Sequence, residues 1–185
     1  MQLNTLHMVH EFLCRHVTPG AFCIDATAGK GRDTALLCRL AGETGRVIAF
    51  DIQEDAVRQT RALLAQEALH AEVLLESHAN MAHYAEENTV DCIVFNFGRL
   101  PGGNPHIFTK SNTSVAAINA GLRLLRPGGV MAIALYYGSE NGYEERDAVL
   151  QHLKTLDDRT FSVLACQWSN RRSDPPMPIF VWKER

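Results

Sequence analysis

In the stretch AFCIDATAGKGRDT, residues 21–34, an acid at position 25 closes a short apolar run and glycines follow at 29 and 31. A strand that ends in an acid and turns through glycines brings its backbone close to a ligand, because a residue without a Cβ reaches conformations closed to the others. The chemistry such a loop serves is the binding of a nucleoside cofactor. Two other glycine loops are excluded. A dinucleotide fingerprint, G-x-G-x-x-G, needs a third glycine where Thr34 stands, and a P-loop read through Gly29 and Lys30 needs glycine at Ile24 and a hydroxyl residue at Gly31. About 20 residues beyond Gly31, Asp51 closes a second apolar run, the separation at which an acid takes both hydroxyls of a ribose. Ile52 then stands where it can pack on adenine, and Gln53 either touches the cofactor or, like Asp55, caps the next helix. His78, with Asn80, follows a third run as a polar edge for adenine, and Asn96 ends a fourth.

These run ends need a sheet to bring them together. Short runs rich in β-branched and aromatic residues predict strands at 21–26, 46–51, 71–76, 90–96 and 129–136. Three- and four-residue spacing predicts helices at 4–17, 33–41, 54–68, 112–125 and 141–156, with His10 on the apolar face of the first. Alternating strands and helices imply a parallel sheet covered on both faces. Two further strands, 160–168 and 178–183, are joined by the short SNRRSDPPM, which suits an antiparallel pair. The expectation is a single domain over residues 1–185: α/β, Rossmann-like, a mostly parallel seven-stranded sheet with an antiparallel C-terminal strand. Ligands bind such sheets at the carboxyl ends of strands, where strand order reverses, and each candidate above occupies such an end.

The chain has 185 residues, 46% hydrophobic and 21% charged, in the range of an ordinary globular protein. A formal net charge of -3 argues against a globally basic nucleic-acid binder, but leaves room for a local patch from Lys30, Arg32, Arg99, Lys110, Arg171 and Arg172. No run of about 18 apolar residues occurs and the N-terminus carries charges throughout, so neither a membrane span nor a signal peptide is expected, and the expected location is cytoplasmic. The cysteines at 14, 23, 38, 92 and 166 form no C-x-x-C pair, which predicts reduced thiols and no zinc site. His7 and His10 are three apart without a carboxylate or thiolate partner, so no metal is expected.

The pattern Asp25-x-Thr27-x-Gly29-x-Gly31 resembles the loop of S-adenosylmethionine (SAM) dependent methyltransferases. Nearly the whole chain resembles one group of them: small bacterial class I enzymes labelled rRNA methylases and associated with methylation of 5-aminomethyl-2-thiouridine in tRNA. The carriers are DATAGKGRDT at 25–34, AFDIQ at 49–53, SHAN at 77–80, NFGRLPGG at 96–103, PGGVMAIALYYG at 127–138 and SNRRSDPP at 169–176. The resemblance implies SAM as cofactor and methyl transfer to the primary amine of a modified wobble uridine. The tRNA would be reached through the local basic patch, with a homodimer left open.

The resemblance also implies roles for individual residues. Backbone N–H groups of Lys30 to Asp33 would take the methionyl carboxylate and Asp25 its ammonium, with Thr27, Asp33 and Thr34 lining the same turn. Asn96 would hold the acceptor nitrogen through its carbonyl oxygen. Gly98, Pro101, Gly102 and Gly103 would floor the base pocket. Family members usually read N-L-G-Y-L-P-G-G-D and Y-x-G-H-x-G-G; here Arg99 replaces the tyrosine, Asn104 the acid, Ser139 the histidine and Asn141 a glycine. These changes fall on the side of the substrate. Keeping an alkylamine neutral near pH 7 costs up to about 4 to 5 kcal/mol, and desolvation reduces that cost. If a base assists, His106 and Tyr137 are the candidates by loop placement. Competing readings are a methyltransferase of another RNA site or small amine, and a SAM-binding protein that has lost catalysis.

Overall fold

Two side-chain layers hold the fold together, one on each face of a single seven-stranded sheet. The computed structural model describes residues 3–98, 102, 108–138, 142–171 and 173–185. In chain order the elements are α1 (Thr5–His16), β1 (Phe22–Asp25), α2 (Arg32–Ala41), β2 (Arg46–Asp51), α3 (Glu54–Gln66) and β3 (Glu72–Leu75). A 3-10 helix (His78–His83) follows, then β4 (Val90–Phe97), α4 (Ser111–Leu124), β5 (Leu125–Leu135), α5 (Gly142–Leu153), β6 (Phe161–Ala165) and β7 (Met177–Lys183). The sheet order is β3-β2-β1-β4-β5-β7-β6. Strands β1 to β5 pair in parallel, and β7 runs antiparallel to both β5 and β6.

Strand periodicity sorts the residues between the layers. Ile24, Ile48, Phe50, Ile93, Phe95 and Phe97 join Ile118 of α4, Val149 of α5 and Met81 of the 3-10 helix. The alternate residues Cys23, Val47, Ala49, Cys92, Val94 and Ala132 are smaller and join α1, α2 and α3 through Leu13, Leu37 and Val57. A strand buried on both faces has no polar alternation, which is why these runs read as continuously apolar.

The chain starts at the centre with β1, moves out to β3, and returns to lay β4 on the other side of β1. Strand order therefore reverses between β1 and β4, and the cleft at their carboxyl ends is where the candidate residues converge. Helix α1 is anchored beside it. Phe12 stacks on Phe180 of β7 with ring centroids 4.4 Å apart, the Thr5 hydroxyl donates to the Pro176 carbonyl, and Arg171 donates to the Leu3 carbonyl at 3.2 Å.

Several element bounds differ from the sequence expectation by one to four residues. Strand β5 starts at Leu125 rather than 129, because Leu125 pairs with Val90 across a register shift that absorbs Pro127 and its glycines; Arg126 Nε holds Asp91 at 2.5 Å there. Strand β6 ends at Ala165, short of residue 168. Residues 78–83 form a 3-10 turn that no apolar spacing announced. All five cysteines are free, with Cys23, Cys38 and Cys92 buried. Among the described residues, no helix is long and apolar enough to cross a membrane.

Candidate active site

Backbone bonds stitch the strand ends into one rim. Ala26 N–H donates to the Val94 carbonyl at 2.9 Å, and Asn96 N–H donates to Thr27 Oγ1 at 2.6 Å. The glycine loop is fastened to β2 in the same way: Gly29 N–H donates to Asp51 Oδ2 and Gln53 N–H to Asp51 Oδ1, both at 2.9 Å. Each oxygen of Asp51 keeps a lone pair beyond its backbone partner, so the carboxylate can still accept two hydroxyls. Gly31 has φ +78°, and a Cβ there would lie 2.9 Å from the Thr60 Cα of α3. The close approach that requires this glycine within the protein is to α3.

Asp25 is fully buried. Its Oδ1 accepts from Thr27 N at 3.1 Å and its Oδ2 from the Thr34 hydroxyl at 2.6 Å. Burial first, then the charge of Asp33, push its pKa up to about 7. Asp33, almost as buried, accepts from two elements: His10 of α1 at Oδ1 and Asn96 Nδ2 of β4 at Oδ2, each at 2.6 Å. His10 is raised above the ordinary histidine value chiefly by this hydrogen bond. Asp51 is raised by burial. The cleft thus gathers Asp25, Asp33 and Asp51 with His10 as their one ion-pair partner among the described residues. Excess negative charge removed from water favours a ligand that brings positive charge. SAM, with its ammonium and sulfonium groups, fits that requirement.

Comparison with known proteins agrees with this geometry. Residues 47–182 match the family model described as "Putative rRNA methylase". The chain belongs to this family. It is 37% identical, over 96% of its length and 67% of the relative's, to a chloroplastic tRNA (mnm(5)s(2)U34)-methyltransferase of Arabidopsis thaliana. It is also 30% identical to a ubiquinone/menaquinone biosynthesis C-methyltransferase of Klebsiella pneumoniae, over 65% of this chain and 44% of that protein, so it spans less than half of that relative. An rRNA-methylase structure from Clostridium thermocellum superposes with a TM-score of 0.96 at 34% identity, covering 99% of both chains. A Streptococcus mutans methyltransferase in complex with SAH superposes at 0.90 with 35% identity, again over 99% of both. The protein is a class I, SAM-dependent methyltransferase.

Within this methyltransferase the expected site residues divide sharply. Asp51 ends β2, Asn96 lies near the end of β4 and is bonded to Asp33 of α2, Gly98 follows β4, and Ile52 stands next to Asp51 with 59% of its surface exposed. Asp25 and Thr34 are enclosed, and the Thr27 hydroxyl is occupied by Asn96 N–H. The hydrogen bonds of Asp25 to Thr27 N–H and to the Thr34 hydroxyl brace the turn. Gln53 occupies the N-cap position of α3 without a side-chain cap bond. His78 opens the 3-10 helix, with Nδ1 at 3.2 Å from the Ala26 carbonyl and its ring edge-on to Phe97. Burial lowers its pKa.

Tyr137 is 7% exposed, lies against Tyr143 and has the Arg146 guanidinium 5.0 Å from its ring centroid. The residue before it takes the opposite side of the chain. Tyr136 is 38% exposed and lies near enough to Asp33 that burial and that charge raise its phenol. Gly98 has φ +150°, and a Cβ there would sit 2.9 Å from the Tyr136 Cβ. Gly102 is an exposed turn residue with φ +81°. Arg99, Pro101, Gly103, Asn104, His106 and Ser139 lie outside the described residues.

Sequence reasoning missed three participants. His10 was expected to pack on the apolar face, and instead reaches Asp33 with its side chain 38% exposed. Thr109 accepts Gly98 N–H at 2.8 Å and donates to Glu145 Oε2 at 2.9 Å. Glu145 is 3% exposed, raised by burial, and also accepts from the Ser114 hydroxyl at 2.5 Å. The one available signal was polarity within an apolar stripe, at His10 of α1.

Proposed function

We propose that this enzyme methylates the primary amine of an aminomethyl group on a wobble uridine of tRNA. The observation that carries this reading is the orientation of Asn96. A carboxylate only accepts, so the amide end at 2.6 Å from Asp33 Oδ2 is the NH2, and the carbonyl oxygen is the end left for a donor. An amine N–H is such a donor, and a hydrogen bond to it aims the nitrogen lone pair away from Asn96 toward the cleft. Identity to the Arabidopsis tRNA methyltransferase over nearly the whole chain supports the same acceptor.

SAM, when bound, supplies an electrophilic methyl group on a cationic sulfur. Asp51 would take the ribose hydroxyls, Ile52 would cover the adenine, and the first-turn N–H groups of α2 would face the methionyl carboxylate. Asp33, with Asp25 behind it, sets a negative field around the positive end. His78 is oriented by the Ala26 carbonyl, which only accepts; Nδ1 therefore carries the proton and Nε2 is an acceptor, the complement of an adenine amino group. Asn96 orients the acceptor amine. Positioning supplies most of the acceleration, with no strong base needed.

Lys30, Arg32, Lys110 and Arg171 are exposed and follow β1, β4 and β6 at the same edge of the sheet, which supports an RNA backbone passing over the cleft. The test is mass spectrometry of nucleosides from aminomethyl-thiouridine tRNA incubated with enzyme and SAM. The expected product is heavier by one methyl group. An unchanged nucleoside, with S-adenosylhomocysteine binding verified by calorimetry, overturns the acceptor assignment and leaves the methyltransferase in place.

A further inference from the structure

We propose that His10, on the N-terminal helix, is a positioning residue of the acceptor site: through Asp33 it holds the Asn96 amide with its carbonyl oxygen toward the incoming amine. The inference rests on the reading of Asn96 given above. Its basis is a chain of contacts from three elements that meet nowhere in sequence: His10 Nε2 of α1 to Asp33 Oδ1 of α2, then Asp33 Oδ2 to Asn96 Nδ2 of β4, each 2.6 Å. Because the carboxylate accepts at both oxygens, Nε2 of His10 must carry a proton just as Nδ2 of Asn96 does. Both oxygens of Asp33 are therefore used for orientation.

Removing the His10 contact leaves the carboxylate with one side-chain partner and free to turn about its terminal torsion. The Asn96 amide has two ends of nearly equal shape, and only the fixed carboxylate distinguishes them. Once that carboxylate turns, the amide can present NH2 to the amine, donor against donor. Asp25 faces Asp33 from behind as a second acid, and Tyr136 lies on the cleft side, so His10 is the group that counters the acidic charge. A purely structural role is a weak account of this contact. Helix α1 is held to β7 by the Phe12–Phe180 stack and by Thr5 with Pro176, independently of His10, and the imidazole is 38% exposed.

The experiment compares His10→Phe, His10→Gln and wild type by kcat and KM on aminomethyl-thiouridine tRNA, by S-adenosylhomocysteine calorimetry, and by exchange of the Asn96 side-chain NH2 protons in 15N NMR without acceptor. His10→Phe is expected to lose roughly 10- to 100-fold in kcat, with cofactor affinity and melting temperature near wild type and faster NH2 exchange. Glutamine extends an N–H donor to Asp33 and should restore most of the kcat and the slow exchange. Wild-type kcat in His10→Phe, or unchanged Asn96 exchange, overturns the proposal. Should the phenylalanine variant fail to fold, His10→Asn, polar but too short to reach Asp33, carries the same expectations. If wild type leaves the aminomethyl nucleoside unmodified, the acceptor reading fails, and the acceptor-free NMR comparison still decides what His10 does.

Discussion

The rim built from β1 and β2 and the rim built from β4 and β5 satisfy their polar groups in different ways. On the first, carboxylates are tied mainly to backbone N–H groups nearby in the chain or on the adjacent loop: Asp25 to Thr27, Asp51 to Gln53 and Gly29. On the second, side chains are tied to side chains from distant elements: Asn96 to Asp33 and His10, and Gly98 through Thr109 to Glu145 and Ser114. The first arrangement is held chiefly by the loop's own backbone and the adjoining ends of α2 and α3. The second depends on α1, α2, α4 and α5 being in place, so a change in any of them can alter which acceptor is held.

Five substitutions sharpen or break that contrast. The largest effect is expected for Asn96→Ala, a fall in kcat of roughly 100- to 1000-fold with S-adenosylhomocysteine affinity near wild type; a parallel loss of affinity would mean that the rims are not separable. Asp51→Ala should do the reverse, weakening cofactor binding by roughly 10- to 100-fold through lost charge-assisted hydrogen bonds. Calorimetry on this variant, with turnover measured at saturating SAM, tests that split.

Next in size is Gly31→Ala, expected to lower unfolding free energy by about 1 to 3 kcal/mol in urea titrations. The added Cβ meets the backbone of Thr60, and φ is +78°. An unaltered midpoint would show that the loop can shift off α3.

Asp25→Asn addresses the charge on the first rim. The folded pKa of Asp25, about 7, lies above the ordinary value of 3.8. The folded state therefore holds more protons between those values, and its stability falls as pH rises through that window. The asparagine variant lacks this loss, so its melting temperature relative to wild type should climb from pH 5 to pH 8 without ligand. A difference independent of pH would remove the buried charge from the account. Smallest of all, Tyr137→Phe should leave kcat unchanged, since that phenol lies in the core; a clear drop would return Tyr137 to the mechanism.

Much of this was legible in the chain itself, for reasons that differ by element. Strand β2 was read at its observed ends because RVIAFD is apolar and bounded by Gly45 and a helix start at Glu54. The start of β5 was misplaced because Pro127, Gly128 and Gly129 read as a stop, whereas the neighbouring β4 supplies a partner for Leu125 across an irregularity. Asp51 and Asn96 stand out in the sequence because each is a polar residue at the end of an apolar run. Tyr136 was not singled out, because position along a chain does not reveal which of two successive side chains is the more exposed.

Residue types and their spacing determined the order of strands and helices, the antiparallel end of the sheet and the nucleoside loop, and the family resemblance added the donor of the methyl group. Those properties follow from local periodicity and from contacts within a few residues, which a linear pattern records. Only the tertiary structure decided that Asp25 is enclosed, that Gly31 packs on α3, and that Asp33 joins His10 to Asn96. Each of those depends on groups brought together by the crossover from β3 back to β4 and by the docking of α1 on β7. The spacing between such groups along the chain carries no information about their distance in space.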